Sequence, residues 1–258
     1  MLTSDAQFTL RLARSQDDIR AAQRLRYDVF IRELGGDGPM VDHAAGLERD
    51  AFDAYFDHLL LIDEDRREDR VIGVYRLLTS DRAREVGQFY TEGEYDLTPL
   101  KQSGRRLLEL GRSCVHRDYR GGSAMYHLWN GLADYVLQHD IEILFGVASF
   151  HGTDIAALKQ PLSYLYHHHL APEAMRVTAR PPNRQEMNLL PVDQLDRRAA
   201  MVATPALIKA YLRVGGSVGD GAYIDRVFNT TDVCLMVDTA AMSARHRSFY
   251  TRKAGQGG

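Results

Sequence analysis

The feature that most restricts this chain lies at its centre. An apolar run, Leu107 to Val115, delivers the backbone into Arg117-Asp-Tyr-Arg-Gly-Gly122, and a helical pattern begins at once. In that pattern Ala124, Leu128, Leu132 and Val136 recur four apart and make one apolar stripe. Ile141 to Phe150 follows as the most apolar strand pattern in the sequence, which predicts a central place in a sheet. Strand, glycine turn, helix, strand predicts a mixed α/β (α+β) fold.

The flanking segments agree. Gln7 to Leu12 alternates polar and apolar residues as a short strand does, and Ser15 with Asp18 three residues later resembles a capping box. A helix is expected from there to about Leu34, closed by Gly35-Gly36. The runs His58 to Asp63 and Val71 to Leu78, separated by the charged Glu64 to Arg70, read as a hairpin. Gly87 to Gly104 reads as irregular, Thr153 to Tyr166 as helical, and Met175 to Ala179 as a strand. Pro205 to Arg213 is a short helix with proline in its first turn, and Val233 to Asp238 a closing strand. The expected layout is one domain over 1–258, with a core at 8–170, a C-terminal elaboration at 171–250 and a flexible tail at 251–258.

Composition narrows the function. With 32 Lys and Arg against 35 Asp and Glu the net charge is −3, so no overall basic field exists to hold nucleic acid. The two cysteines, Cys114 and Cys234, are far apart, which disfavours a disulfide framework or a zinc ribbon and predicts a cytoplasmic protein. Met1 to Arg14 lacks a signal-peptide core, and Leu59 to Ile62 is far short of the roughly 20 apolar residues that cross a bilayer.

Several residue sets carry chemistry. A glycine turn that opens a helix gathers free main-chain N–H groups at the positive end of the helix dipole, which suits a phosphate. Arg117, Arg120, Gly121, Gly122 and Ser123 occupy that point. The turn matches neither a P-loop nor GxGxxG, and a Gly-Gly turn also occurs as plain structure, but two arginines favour an anion. In Glu109-Leu-Gly-Arg112, residues three apart on a regular strand face opposite ways. Glu109 and Arg112 share a pocket only if the strand bulges, for which Gly111 is a reason; otherwise they pair at an edge. Glu48, Asp50 and Asp53 follow the helix that carries Arg26, although acidic loop residues are ordinarily just solvated. His167, His168 and His169 cannot all face one ion, so no metal is expected, and the absence of G-x-S-x-G leaves a hydrolase triad without support.

The order Arg26-Tyr-Asp-Val-Phe30, Glu48-Arg-Asp50 with Asp53, Gly73-Val-Tyr-Arg76-Leu-Leu and Glu109-Leu-Gly-Arg112 is similar to the motif series of the acyl-homoserine lactone synthases. Those enzymes belong to the GNAT N-acyltransferase superfold. The stretches Glu109 to Gly122, Phe145 to Asp154, Leu162-Ser-Tyr-Leu and Pro205 to Arg213 with Ile224-Asp225 resemble more closely the acyl-carrier-protein:L-ornithine Nα-acyltransferases of ornithine-lipid biosynthesis, also called haemolysin-like. Unlike the usual superfold turn, the glycines here follow Arg120 immediately. That spacing disfavours acetyl-CoA and leaves room for the single phosphodiester of a carrier protein's 4′-phosphopantetheine.

The resemblance implies a reaction in which the α-amine of L-ornithine attacks a 3-hydroxyacyl thioester on acyl carrier protein, with no permanently bound cofactor. Asp50 and Asp53 are then candidates for the δ-ammonium, and Arg26, Arg76 or Arg112 for the carboxylate. Glu109 is the candidate general base, and main-chain N–H groups around Ser113 to Val115 the candidate oxyanion donors. Cys114 is a candidate nucleophile by position, but attack on a thioester needs no covalent relay and a cysteine in an apolar strand ordinarily packs. Val115, Arg117, Arg120, Gly121, Gly122, Ser123 and Ser149 are the candidate donor-binding residues. An acidic carrier protein calls for a basic docking surface, with Arg117, Arg120, Lys159, Arg180, Arg184 and Arg213 as candidates. Peripheral contact with the inner membrane would use the tail residues Arg245, Arg247, Arg252 and Lys253. Two alternatives stay open: an acyl-homoserine lactone synthase-like enzyme, and a non-catalytic acyl-binding module.

Overall fold

The computed structural model describes residues 7–240. In chain order it contains β1 (Phe8–Leu12), α1 (Gln16–Arg26), β2 (Asp57–Asp63), β3 (Val71–Thr79), α2 (Ser80–Val86), β4 (Tyr95–Asp96), α3 (Thr98–Gln102), β5 (Leu107–Val115), α4 (Ala124–Gln138), β6 (Ile143–His151), α5 (Ile155–His169), β7 (Thr178–Ala179), β8 (Arg184–Gln185), α6 (Arg197–Ala203), α7 (Ala206–Arg213), β9 (Ser217–Val218), β10 (Ala222–Asp225) and β11 (Thr230–Asp238). Two compact units interleave along the chain: one comprises the residues up to Gly87 with Leu110–His139, the other Gln88–Glu109 with the residues from Asp140.

In the first unit β1, β2 and β3 form an antiparallel meander, with Leu10 opposite Leu61 and Leu60 opposite Val74. Both faces of β2 are covered, which is why it reads as an unbroken apolar run. Leu60 and Ile62 pack with Ala22, Leu25 and Val29 on the α1 side, while Leu59 and Leu61 turn toward α4. The α4 contact is close at one point: a methyl group on Gly131 would fall 2.5 Å from Leu10 Cδ2, so any larger residue there would force the Leu10 side chain to move.

Helix α1 starts where the sequence indicates, with Ser15 Oγ accepting the Asp18 N–H at 3.1 Å. Past Arg26 the coil widens over Tyr27–Glu33 into π-type turns, and the Leu34 N–H reaches back five residues to the Val29 carbonyl. The far end of this segment is tied to the glycine turn by Glu33, which pairs with Arg120 Nη2 at 2.8 Å.

In the second unit β6 pairs antiparallel with β11 along its whole length, from Ile143 opposite Asp238 to His151 opposite Thr230. Strand β10 continues on β11, β8 on β10, and β9 pairs with Leu235 and Met236. Leu107, Leu108 and Glu109 of β5 run parallel to Ile143, Leu144 and Phe145. The expected Met175 to Ala179 strand contracts to β7, paired with β4. Helices α2, α3 and α6, at five to seven residues, are too short for periodicity to reveal. No helix among the described residues is long and apolar enough to cross a membrane. Arg245, Arg247, Arg252 and Lys253, and the 251–258 tail, lie outside the described residues.

Candidate active site

The first unit gathers the motif residues into one network. Arg26, the last residue of α1, is wholly buried; its Nε donates to Glu48 Oε2 and its Nη1 to Asp53 Oδ1 at 2.5 Å. Arg76, on β3 and also wholly buried, donates through Nη1 to both oxygens of Asp50, at 2.8 and 2.9 Å, and to Asp53 Oδ1 at 2.7 Å. Its guanidinium lies over the Phe56 ring, 4.4 Å from the centroid. Arg112, on β5, donates through Nε to Glu48 Oε1 at 3.2 Å, and its Nη2 stands 3.7 Å from Asp50 Oδ2. Three arginines face three carboxylates, so the network as a whole is neutral.

Burial opposes ionisation of each acid, and the surrounding guanidinium groups outweigh it. Asp53 is held well below the usual carboxylate range by Arg26 and Arg76, Glu48 is lowered by Arg112 and Arg26, and Asp50 by Arg76 and Arg112. His58 also faces Asp53: its Nε2 donates to the Asp53 carbonyl at 3.0 Å, while its buried Nδ1 finds no hydrogen-bond partner among the described residues. Burial pushes the His58 imidazole down to about 4, so it is neutral.

Strand β5 carries a backbone irregularity one residue past Gly111. Arg112 itself adopts a left-handed backbone, φ +48°, inside the strand. Such a conformation costs a non-glycine residue on the order of 1–3 kcal/mol and persists where surrounding contacts overrule it; here the contacts are Glu48 and Asp50. Glu109 has other work. It is buried, and its two oxygens accept the main-chain N–H groups of Tyr90, at 2.8 Å, and Thr91, at 2.6 Å, in the second unit. Through these two bonds the carboxylate of the candidate base anchors the start of the Tyr90–Gly93 turn.

Cys114 packs with Ala22, Leu25, Leu60 and Val74, and burial pushes its thiol up to about 12. A thiol so placed is scarcely ionised at neutral pH, which agrees with a packing role. Its neighbour Ser113 keeps its hydroxyl oxygen buried with no hydrogen-bond partner among the described residues. In the turn, Arg120 donates through Nε to the Val115 carbonyl at 3.0 Å, Gly121 has φ +78°, and Ser123 precedes α4 without capping it through its side chain. Arg117 is exposed beside Asp118. Ser149 is exposed on β6 in the second unit.

Two members of the network escaped sequence reasoning. Gln23 donates through Nε2 to Asp53 Oδ2 at 2.8 Å. Its position three residues before Arg26 on one helix was a usable signal, because such pairs share a face. His58 offered none, since it only opens the apolar run Leu59 to Ile62 in its strand. Among the described residues, Glu94, Asp225 and Asp232 in the second unit bring carboxylate oxygens within 4.8 Å of one another; such acidic groups are common without an ion.

Residues 25–130 match the acetyltransferase (GNAT) domain family. Along its whole length the chain is 63% identical over 256 residues to the L-ornithine N(alpha)-acyltransferase of Rhodobacter capsulatus, with 98% of each chain covered. The chain belongs to the L-ornithine N(alpha)-acyltransferase family. Family members from Brucella abortus and Rhizobium meliloti are 39% and 38% identical, over 96% and 97% of this chain and 90% and 86% of theirs. An L-ornithine N(alpha)-acyltransferase family member is an acyltransferase, so the expected enzyme class is borne out. Among solved structures, the N-acyl amino acid synthase FeeM from uncultured soil microbes superposes with a TM-score of 0.53 at 9% identity, covering 92% of this chain and 94% of that one. The CoA-dependent acyl-homoserine lactone synthase BjaI, solved with MTA, gives 0.51 at 14% identity, covering 94% and 84%. At those identities the likeness shows the fold, which is the GNAT-type acyltransferase fold that the motif order implied for this family.

Proposed function

We propose that the chain transfers a 3-hydroxyacyl group from the 4′-phosphopantetheine arm of acyl carrier protein to the α-amine of L-ornithine, forming lyso-ornithine lipid. Family membership supports ornithine as acceptor. The observation that carries the reading is the charge balance of the Arg26–Glu48–Asp50–Asp53–Arg76–Arg112 network together with the partial exposure of its Arg112–Asp50 pair. A neutral cluster has no net field for a simple anion or cation, but it suits a ligand carrying both signs. Arg112 and Asp50 keep 13% and 19% of their side chains exposed, while the others are more deeply buried. A zwitterion entering there sets its carboxylate on Arg112 and its δ-ammonium on Asp50, and the balance is kept. Arg26 and Arg76, both paired with Asp53, hold that pair in place.

Chemistry already favours the α-nitrogen. An α-amine titrates near 8 and a lysine-like amine near 10.4, so at neutral pH roughly a tenth of the first and well under a hundredth of the second is free base. Holding the δ-ammonium on a carboxylate widens that gap and fixes the α-nitrogen against the thioester. The nitrogen lone pair attacks the thioester carbonyl, the C–N bond forms, and the tetrahedral oxyanion collapses with loss of the thiolate. The proton shed by nitrogen passes to solvent and the thiolate is reprotonated as carrier thiol. Main-chain N–H groups of Ser113 to Val115 and the Ser113 hydroxyl are the oxyanion donors on this reading. Arg117, Arg120, Gly121, Gly122 and Ser123 take the donor phosphate at the start of α4.

The test is purified protein with a 3-hydroxyacyl carrier protein and one of three additions: ornithine, S-adenosylmethionine or no acceptor. Free thiol appearing with ornithine alone, with an Nα-amide of the right mass, supports the reading. Turnover with S-adenosylmethionine would replace it with a lactone synthase, and an inert protein that still holds the acyl carrier would replace it with a binding module. Substituting 3-hydroxyacyl-CoA for the carrier protein tests the donor.

A further inference from the structure

The loop that carries all three acids, residues 48–53, is fastened to α1 at both ends by a single residue. At one end the Glu48 N–H donates to the Gln23 carbonyl at 3.1 Å. At the other, the Gln23 side-chain amide donates to Asp53 Oδ2 at 2.8 Å. That same Asp53 oxygen receives the Asp50 N–H at 3.4 Å, and the Asp53 N–H donates to the Asp50 carbonyl at 3.3 Å. Asp50 therefore hangs between two points that Gln23 sets. Its side chain makes no contact with Gln23 in this network, so Gln23 acts on it only through the loop.

The chemistry of the position is restrictive. Asp53 Oδ1 is already shared by Arg26 and Arg76, so Oδ2 needs a donor that carries no charge. A lysine would break the balance of three against three, and a glutamate would set a carboxylate against a carboxylate in a place 8% exposed. The amide supplies the hydrogen bond and leaves the balance intact.

We infer that Gln23 is a positioning residue for the acceptor amino acid, setting where Asp50 meets the ornithine side-chain ammonium. The inference rests on the acceptor reading above and deepens it. Gln23 touches neither substrate. It determines acceptor affinity through loop 48–53, and donor affinity is independent of it.

The experiment measures KM for ornithine and for the acyl donor separately in Q23A and Q23E, with D50N as a control on the acceptor reading. Both Gln23 variants are expected to raise the ornithine KM by about tenfold, the scale of one lost buried hydrogen bond, with the donor KM unchanged. Q23E carries a second readout. Protonated glutamic acid can donate where the amide did, so its ornithine KM should fall relative to Q23A as pH is lowered from 8 to about 5.5. Equal rises in both KM values in step with a lowered Tm, or no rise at all, overturn the inference. If D50N leaves the ornithine KM unchanged, the acceptor reading itself fails. If D50N raises it and Gln23 variants do not, the positioning role alone fails.

Discussion

Arg112 Nη2 stands 3.7 Å from Asp50 Oδ2, in a network whose other arginines are wholly buried. Both side chains keep some contact with solvent, 13% for Arg112 and 19% for Asp50, so a ligand reaches this pair more readily than the rest of the network. A left-handed backbone aims the Arg112 side chain at that position. Replacing Asp50 by Asn, or Arg112 by Ala, should raise the ornithine KM at least tenfold and change the donor KM less than twofold, the signature of lost acceptor binding. Steady-state kinetics with each substrate varied in turn checks this. A matching rise in the donor KM would remove both residues from the acceptor site.

Acid should loosen the first unit through His58. Its folded value, about 4, lies below the ordinary 6.5, so between those limits the unfolded chain binds the extra proton. Stability contributed by keeping His58 neutral is therefore complete above pH 6.5 and is lost as pH falls toward 4. The lowered values of Glu48, Asp50 and Asp53 add a further loss with the same sign, beginning as pH falls through about 4. Melting temperatures from pH 8 to 4 should fall first in the histidine window, and H58Q should flatten that part of the curve alone.

Thiol chemistry should leave activity intact. Cys114 and Cys234 are both buried and free, and burial pushes the Cys114 thiol up to about 12. Alkylating reagents on the folded protein at pH 7.5 should neither label Cys114 nor inactivate, and C114S should keep wild-type kcat at some cost in Tm. An acyl group trapped on Cys114 would restore the covalent relay.

Glu109 separates an anchor from a base. Glu109→Gln keeps one acceptor oxygen and turns an amide toward a main-chain N–H, so a loss of about 1–3 kcal/mol in stability is expected. On the proposed mechanism the α-ammonium loses its proton to solvent, so the acidic limb of the pH–rate profile should stay where it is. A displaced limb, or a kcat reduced a thousandfold in a stably folded variant, would return Glu109 to the base's role.

Much of the architecture was legible because it is written in local physics. The Ser15 cap, the apolar runs of β2 and β3, the four-residue stripe of α4 and the unbroken apolarity of β6 each depend on neighbours within a few residues, and each was found close to its expected bounds. Motif order likewise picked out Arg26, Asp50, Asp53, Arg76 and Arg112, and the structure brings all five together.

What each of them touches was decided only by packing. Residues 23, 26, 48, 50, 53, 58, 76 and 112 come from one helix, one loop and three strands, and no spacing rule says which guanidinium takes which oxygen. Spacing set Glu109 beside Arg112 in the string, yet the strand's twist into a left-handed residue and the reach of the Tyr90 and Thr91 amides sent the two side chains to different partners. Periodicity speaks for a residue's face and never for its partner, since hydrogen bonds and charge balance are settled across the fold. For this protein the linear order therefore announced an acyltransferase scaffold and five charged candidate residues, whereas the neutral network and the buried thiol exist only once distant segments are folded against each other.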